Sequence, residues 1–303
     1  MPLRNHHSSS KETDLYGFHS SFLSWNPEDH RKKSTVILWK KEKDMKNSRE
    51  ITAVYEKAAK AKTEMSTGKL LVSGIFAGAF IAFGGIGSQI AQSSITDPGL
   101  ARYIGALVFP VGLMMVLTVG VELFTGNCLL VLPLLQQKIT VGKMLRNWGL
   151  VYLGNLIGSL MIACLVVYSG LPSLFGGALG ETIVNTAAAK ASLSPSAGLL
   201  RGILCNILVC LAVWISFAAD EQAGKIIGLF LPTMLFVLCG FEHSIANMYF
   251  IPAGMMAQGI QSMSNAVSFS GFLSNLLPVT LGNILGGAGF VAAGLFFLYG
   301  RND

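Results

Sequence analysis

Apolar residues dominate six stretches of this chain, at about 70–93, 103–135, 148–171, 199–217, 226–260 and 273–299. Crossing a bilayer as a helix takes ~20 such residues, so the pattern predicts an all-α membrane protein with six transmembrane helices. The second and fifth stretches are overlong, and glycine and polar residues interrupt each near its middle. Ahead of the first span, residues 49–69 carry a weaker periodicity. Ile51, Val54, Tyr55 and Ala58 share one stripe, which predicts an amphipathic helix at the membrane surface. Residues 1–48 are polar and irregular and are expected to be disordered, with Met45 as an alternative start. The expected parts are therefore a 1–48 extension, a 49–69 helix and a 70–300 six-helix domain.

The interrupted stretches share a motif. Gly120-Val-Glu122-Leu-Phe-Thr-Gly-Asn127 and Gly240-Phe-Glu242-His-Ser-Ile-Ala-Asn247 both read G-x-E-x4-N. Leu153-Gly-Asn155 in the third span matches Leu281-Gly-Asn283 in the sixth, and Gly74-Ile75 in the first matches Gly202-Ile203 in the fourth. Three spans per half is odd, so the second copy enters the membrane from the opposite face. The expectation is an inverted 3+3 repeat with interrupted second and fifth helices meeting near the midplane. Exposed backbone at such breaks is tolerated only against protein or water, so the breaks should line a path. Small residues spaced four apart (Gly74 and Gly78, Gly154 and Gly158, Gly282 and Gly286) predict close helix contacts.

Composition agrees: 52% of residues are hydrophobic, 13% are charged, and 34 are glycine. The net charge of +6 resides mostly in the first 69 residues, which fits a solvated segment beside an anionic bilayer better than nucleic-acid binding. Lys138, Lys143, Arg146 and Lys225 lie in the loops on the same side as the basic N-terminus and Arg301. Arg102, Lys190 and Arg201 lie opposite, so both termini are expected to be cytoplasmic in a multi-pass protein of the cell membrane.

Candidate chemistry is sparse. His243 is the only histidine after residue 30. An ionisable group at membrane depth costs roughly 2.5–3.5 kcal/mol, a cost that points to a permeation path. Glu122 and Glu242 look like acid/base candidates, yet the preferred reading gives them a structural role, tying down backbone N–H groups freed by the breaks. The five cysteines form no CxxC pair and read as small packing residues, so no metal site is expected, nor any cofactor. Gly287-Ala-Gly-Phe-Val-Ala292 matches a dinucleotide-binding pattern but lies within a predicted span with no strand before it, and is discarded. A redox enzyme would need more than one body histidine, and no Walker motif suggests a pump. The chain is read as a transport protein, not an enzyme.

These residues resemble the formate/nitrite transporter family over about 50–300. The resemblance rests on Glu122-Leu-Phe-Thr-Gly-Asn127, on Gly202-Ile-Leu-Cys-Asn206 continuing to Val209-Cys-Leu-Ala-Val-Trp214, on Gly240-Phe-Glu-His-Ser-Ile-Ala-Asn-Met248, and on Leu277-Pro-Val-Thr-Leu-Gly-Asn283. It implies an aquaporin-like protomer, a homopentamer with one pore per protomer, and passage of a small monovalent anion. Formate or a similar short carboxylate ranks first, with nitrite or hydrosulfide as the alternative. By the same resemblance His243 is the central histidine, Thr125 lies in the loop breaking the second span, and Asn206 and Asn283 are pore-side asparagines. Lys190 would be a vestibule lysine. Phe109 and Leu113 on one side, Phe236 on the other, and Leu123 would form apolar constrictions. A bare anion loses much hydration there, so His243 would give the substrate a hydrogen bond or a proton. Two modes stay open: proton symport at low pH, and an anion channel.

Overall fold

The computed structural model describes residues 46–260 and 267–300. The expected disordered extension, with His6, His7 and Met45, falls up to residue 45 outside the described residues, as does Arg301. Every described regular element is helical.

Local signals start most of the helices. Helix α1 (Ser48–Glu64) opens on a capping box, in which Asn47 accepts from Glu50 N and the Glu50 carboxylate accepts from Asn47 N. Ser66 caps α2 (Thr67–Gln92), and Asp97 caps α3 (Pro98–Val108) with a proline in its first turn. Pro110 restarts the helix as α4 (Pro110–Val119). The chain then runs extended to a short segment, α5 (Phe124–Asn127), which continues through Cys128–Leu130 to Val131–Leu135. Thr140 caps α6 (Val141–Tyr168), and α7 (Ala178–Ala191) follows an irregular Leu171–Gly177 turn. Next come α8 (Pro195–Ala218), α9 (Gln222–Leu238), α10 (Ser244–Ile260) and α11 (Phe269–Ile284). The last runs on to Gly300 with largely π-helical winding through a glycine-rich stretch.

Among the described residues, five helices are long and apolar enough to cross a membrane: Thr67–Gln92, Pro98–Val119, Val141–Tyr168, Pro195–Ala218 and Phe269–Gly300. Phe124–Leu135 and Gln222–Leu238 are shorter. The second and fifth apolar stretches thus do not run as continuous helices. Both stop at a glycine in the left-handed region, Gly120 (φ 77) and Gly240 (φ 70), which L side chains adopt only under strain.

The first helix departs from its expected stripe. Ile51, Thr52, Tyr55, Ala59 and Thr63 are buried, whereas Val54 is exposed. The reason is tertiary: the Tyr55 ring packs against Trp214 and Phe217, with centroids at 6.2 and 5.4 Å. The helix is therefore part of the body rather than a free surface element.

The largest contacts pair α2 with α6 and α8 with α11. Both pairs use the expected glycines. A Cβ on Gly154 would stand 2.6 Å from Leu71 O, and one on Gly202 would stand 2.7 Å from Val279 O. Backbone faces backbone, so neither site relaxes by moving a side chain. Gly154→Val is expected to cost about 1–3 kcal/mol or more and to lower the thermal unfolding midpoint of the detergent-solubilised protein. A wild-type melting curve for that variant would remove this contact from the account.

Candidate functional site: two helix breaks and the pair between them

Each break frees backbone groups in a place without bulk water, and one asparagine collects them. At the first, Phe124 N–H donates to Asn155 Oδ1 (3.0 Å), while Asn155 Nδ2 donates to Gly74 O (2.8 Å) and Glu122 O (3.1 Å). At the second, Ser244 N–H donates to Asn283 Oδ1 (2.9 Å), and Asn283 Nδ2 donates to Gly202 O (2.8 Å) and Glu242 O (3.0 Å). Glu122 N–H goes to Ser73 Oγ and Glu242 N–H to Arg201 O. The freed N–H groups therefore do not go to the glutamates, which corrects the expected role of those acids. Amide side chains serve better because one group accepts from an N–H and donates to carbonyls at once.

The carboxylates have other partners. Glu122 accepts from Lys62 Nζ (2.7 Å) and Asn127 Nδ2 (2.8 Å); Glu242 accepts from Lys190 Nζ (3.0 Å) and Asn247 Nδ2 (2.6 Å). Asn127 also donates to Asn147, and Asn247 to Asn275. Asn147 and Asn275 in turn donate to the backbone carbonyls of Lys62 and Lys190. The acid side chains are 2% and 5% exposed and the lysines 23% and 18%, so each pair has a buried end and a wetter one. Such a carboxylate needs its partners, since breaking a buried pair leaves an uncompensated charge.

His243 and Thr125 meet between the two breaks. Thr125 Oγ1 lies 2.9 Å from His243 Nε2, and Ala246 N–H donates to His243 Nδ1 at 3.1 Å. Nδ1 is therefore an acceptor, the neutral ring carries its proton on Nε2, and Nε2–H donates to Thr125. The threonine hydroxyl keeps its own proton for another acceptor. The imidazole stacks on Phe236 (5.8 Å, 20°), and Phe236 meets Phe109 edge to face at 5.7 Å.

Two separate cavities flank this layer. The first, about 370 Å³, is lined by Lys190, Phe109, Phe236, Glu242 and His243 among others. The second, about 40 Å³, is lined by Tyr55, Lys62, Leu113, Leu117, Leu123 and Asn127 among others. The expected grouping of Phe109 with Leu113 is thereby corrected: Phe109 and Phe236 line the first cavity, and Leu113 and Leu123 line the second. Phe109 and Leu113 are about one helical turn apart and so occupy different levels. Asn206 sits behind Thr125, donating to Thr125 O (3.1 Å) and Asn283 O (2.6 Å), and its buried Oδ1 lacks a partner among the described residues. Asn283 spends its amide on the break.

Sequence reasoning missed Lys62, Asn147, Asn275 and Tyr55. A signal existed for three of them. The interval separating Gly74 from Gly202 and Asn155 from Asn283 also separates Lys62 from Lys190 and Asn147 from Asn275. Tyr55 had no such signal. Its buried hydroxyl has no partner among the described residues, and burial holds its pKa above the ordinary phenol range, with Cys210, Glu122 and Cys128 adding to that. It stays a donor.

The chain as a whole is similar to known proteins. The family described as formate/nitrite transporter matches residues 49–297. A probable formate transporter of Methanothermobacter thermautotrophicus is 38% identical over 80% of this chain and 92% of its own. The formate channel FocA of Haemophilus influenzae is 37% identical over 82% of this chain and 93% of its own. A solved pentameric formate channel with formate bound superposes with a TM-score of 0.69 at 31% identity, covering 78% of this chain and 98% of that one.

Asn283→Leu removes the acceptor for Ser244 N–H and the donor to two carbonyls. Each buried group so orphaned costs about 1–3 kcal/mol. The thermal midpoint of this variant is expected to fall well below that of His243→Phe, which frees only one backbone N–H; equal midpoints would refute the bridging role.

Proposed function

The chain belongs to the formate/nitrite transporter family, and from that premise we propose that it conducts formate, or a similarly small monovalent anion, across a cell membrane as one protomer of a homopentamer. The observation that carries the reading is the buried Thr125–His243 pair between two cavities, one lined by Phe109 and Phe236 and the other by Leu113 and Leu123. Formate is favoured because the relatives above are named for it.

The architecture fits an inverted repeat of three spans, aquaporin-like in its protomer, with the second and fifth spans interrupted. The matched partner sets of Glu122 and Glu242 support that reading. On this view both termini are cytoplasmic, residues 70–300 form the conducting domain and residues 49–69 add its inner rim. Lys62, at the inner mouth, is the counterpart of Lys190 at the outer one.

Passage follows from the geometry. An anion gathers in the outer cavity near Lys190, whose ammonium also lies 5.3 Å from the Phe250 ring centre. Phe109 and Phe236 then strip its water, which a bare charge resists. Beyond them the Thr125 hydroxyl donates to a substrate oxygen while Nε2–H of His243 supports the threonine. At low pH a second proton on Nδ1 displaces the Ala246 N–H. The ring then passes its Nε2 proton to Thr125 as the Thr125 proton moves to formate. The products are neutral formic acid and a neutral imidazole protonated on Nδ1. The neutral acid crosses the Leu113–Leu123 level far more easily than the anion.

Labelled formate uptake into proteoliposomes across a pH series tests this reading. Wild-type uptake is expected to rise as the external pH falls, and His243→Phe to flatten that slope and cut flux about 100-fold with assembly intact. An unchanged profile in that variant would remove His243 from the mechanism.

A further inference from the structure

The two breaks share their scaffold but not their charge. In the outer cavity Lys190 is already paired with Glu242, yet two more cations line the same space, Arg102 and Arg201. The Arg102 head lies over the second break, where a Cβ on Gly240 would be 3.4 Å from both terminal guanidinium nitrogens. Arg201 is anchored beside it, its carbonyl accepting Glu242 N–H at 3.2 Å. Among the described residues no carboxylate forms an ion pair with either guanidinium. The positions at matching intervals in the other half are Gln222 and Ser73, both uncharged. Among the described residues the inner cavity has only Lys62 as a cation, itself paired with Glu122.

We propose that Arg102 and Arg201 form a capture site in the outer cavity for planar two-oxygen anions, namely short carboxylates and nitrite. The proposal rests on the transport reading above and narrows its substrate class. A guanidinium presents parallel N–H donors that match two oxygens on one carbon or nitrogen, whereas a lysine acts as a point charge. A hydrosulfide ion offers one sulfur and gains nothing from the fork. The cavity, about 370 Å³, is wide enough for the anion to bind before its water is stripped at Phe109 and Phe236. The site therefore sets the half-saturating concentration, while the Thr125–His243 layer sets the maximal flux.

The test gives the second half the residues of the first. In proteoliposomes the Arg102→Gln/Arg201→Ser variant is expected to raise the half-saturating concentration of formate and of nitrite about tenfold, at unchanged maximal flux. The value for hydrosulfide is expected to move less than about twofold. The Arg102→Lys/Arg201→Lys variant, with charge kept and fork lost, is expected to resemble Gln/Ser for formate. Wild-type formate saturation in either double variant would overturn the proposal, as would an equal loss for hydrosulfide. Line broadening of carbon-13 formate on the solubilised protein reads binding without transport. Absent wild-type flux would sink the transport reading, whereas equal broadening by wild type and Gln/Ser would sink the arginine site.

Discussion

The fold is governed by what happens to backbone polar groups when a helix stops among buried side chains. An unpaired N–H or C=O there costs several kcal/mol, and each break produces more than one. Asn155 and Asn283 meet that demand with a single side chain each, reaching three backbone groups on two helices. To reach so far, the amides must sit where helices nearly touch. The contacts at Gly74–Gly154 and Gly202–Gly282 provide such places. Close helix packing and broken helices are thus one requirement, since the break is stable only where a neighbouring helix comes near enough to hold it.

The charged side chains beside the breaks obey the same logic. A charged glutamate beside each break adds a desolvated carboxylate, which is stable only with a cation and further donors. Lys62 and Lys190 supply the cation from the ends of α1 and α7, and Asn127 and Asn247 supply the donors. This explains why α1 is part of the body. Its last turn delivers a charge to Glu122, and Tyr55 wedges it against Trp214 and Phe217.

Much of this was legible in the chain. The apolar stretches, the G-x-E-x4-N repeats and the spaced glycines located the breaks and the tight contacts, because each reports a local requirement that a sequence must state in place. His243 was legible because the only histidine after residue 30 falls within an interrupted apolar stretch. What could not be read was partnership across distance. That Glu122 takes its cation from Lys62, or that Phe109 belongs with Phe236 rather than Leu113, depends on helix packing and level along the axis, which periodicity does not encode. The stripe on α1 was misread for the same reason. Thr52 and Thr63 are buried despite their polarity, while Val54 is exposed.

The positions that differ between the two halves are informative because so much else is held in common. Groups that satisfy backbone or carboxylate have little freedom, and Asn155, Glu122, Asn127, Asn147 and Lys62 each have an identical counterpart at the other break. Side chains that instead face the space between the breaks are under no such constraint. His243 occupies the position that Leu123 holds in the first break, and Thr125 the position that Ile245 holds in the second. The side-chain contact between Thr125 and His243 therefore takes one residue from each break, at non-equivalent places, although the motif around them is repeated. A symmetric pair of histidines would face each other as like charges once protonated. A symmetric pair of leucines would offer a passing anion no donor. An imidazole facing a hydroxyl avoids both outcomes, and the rigid frame around it fixes the 2.9 Å separation on which that contact depends.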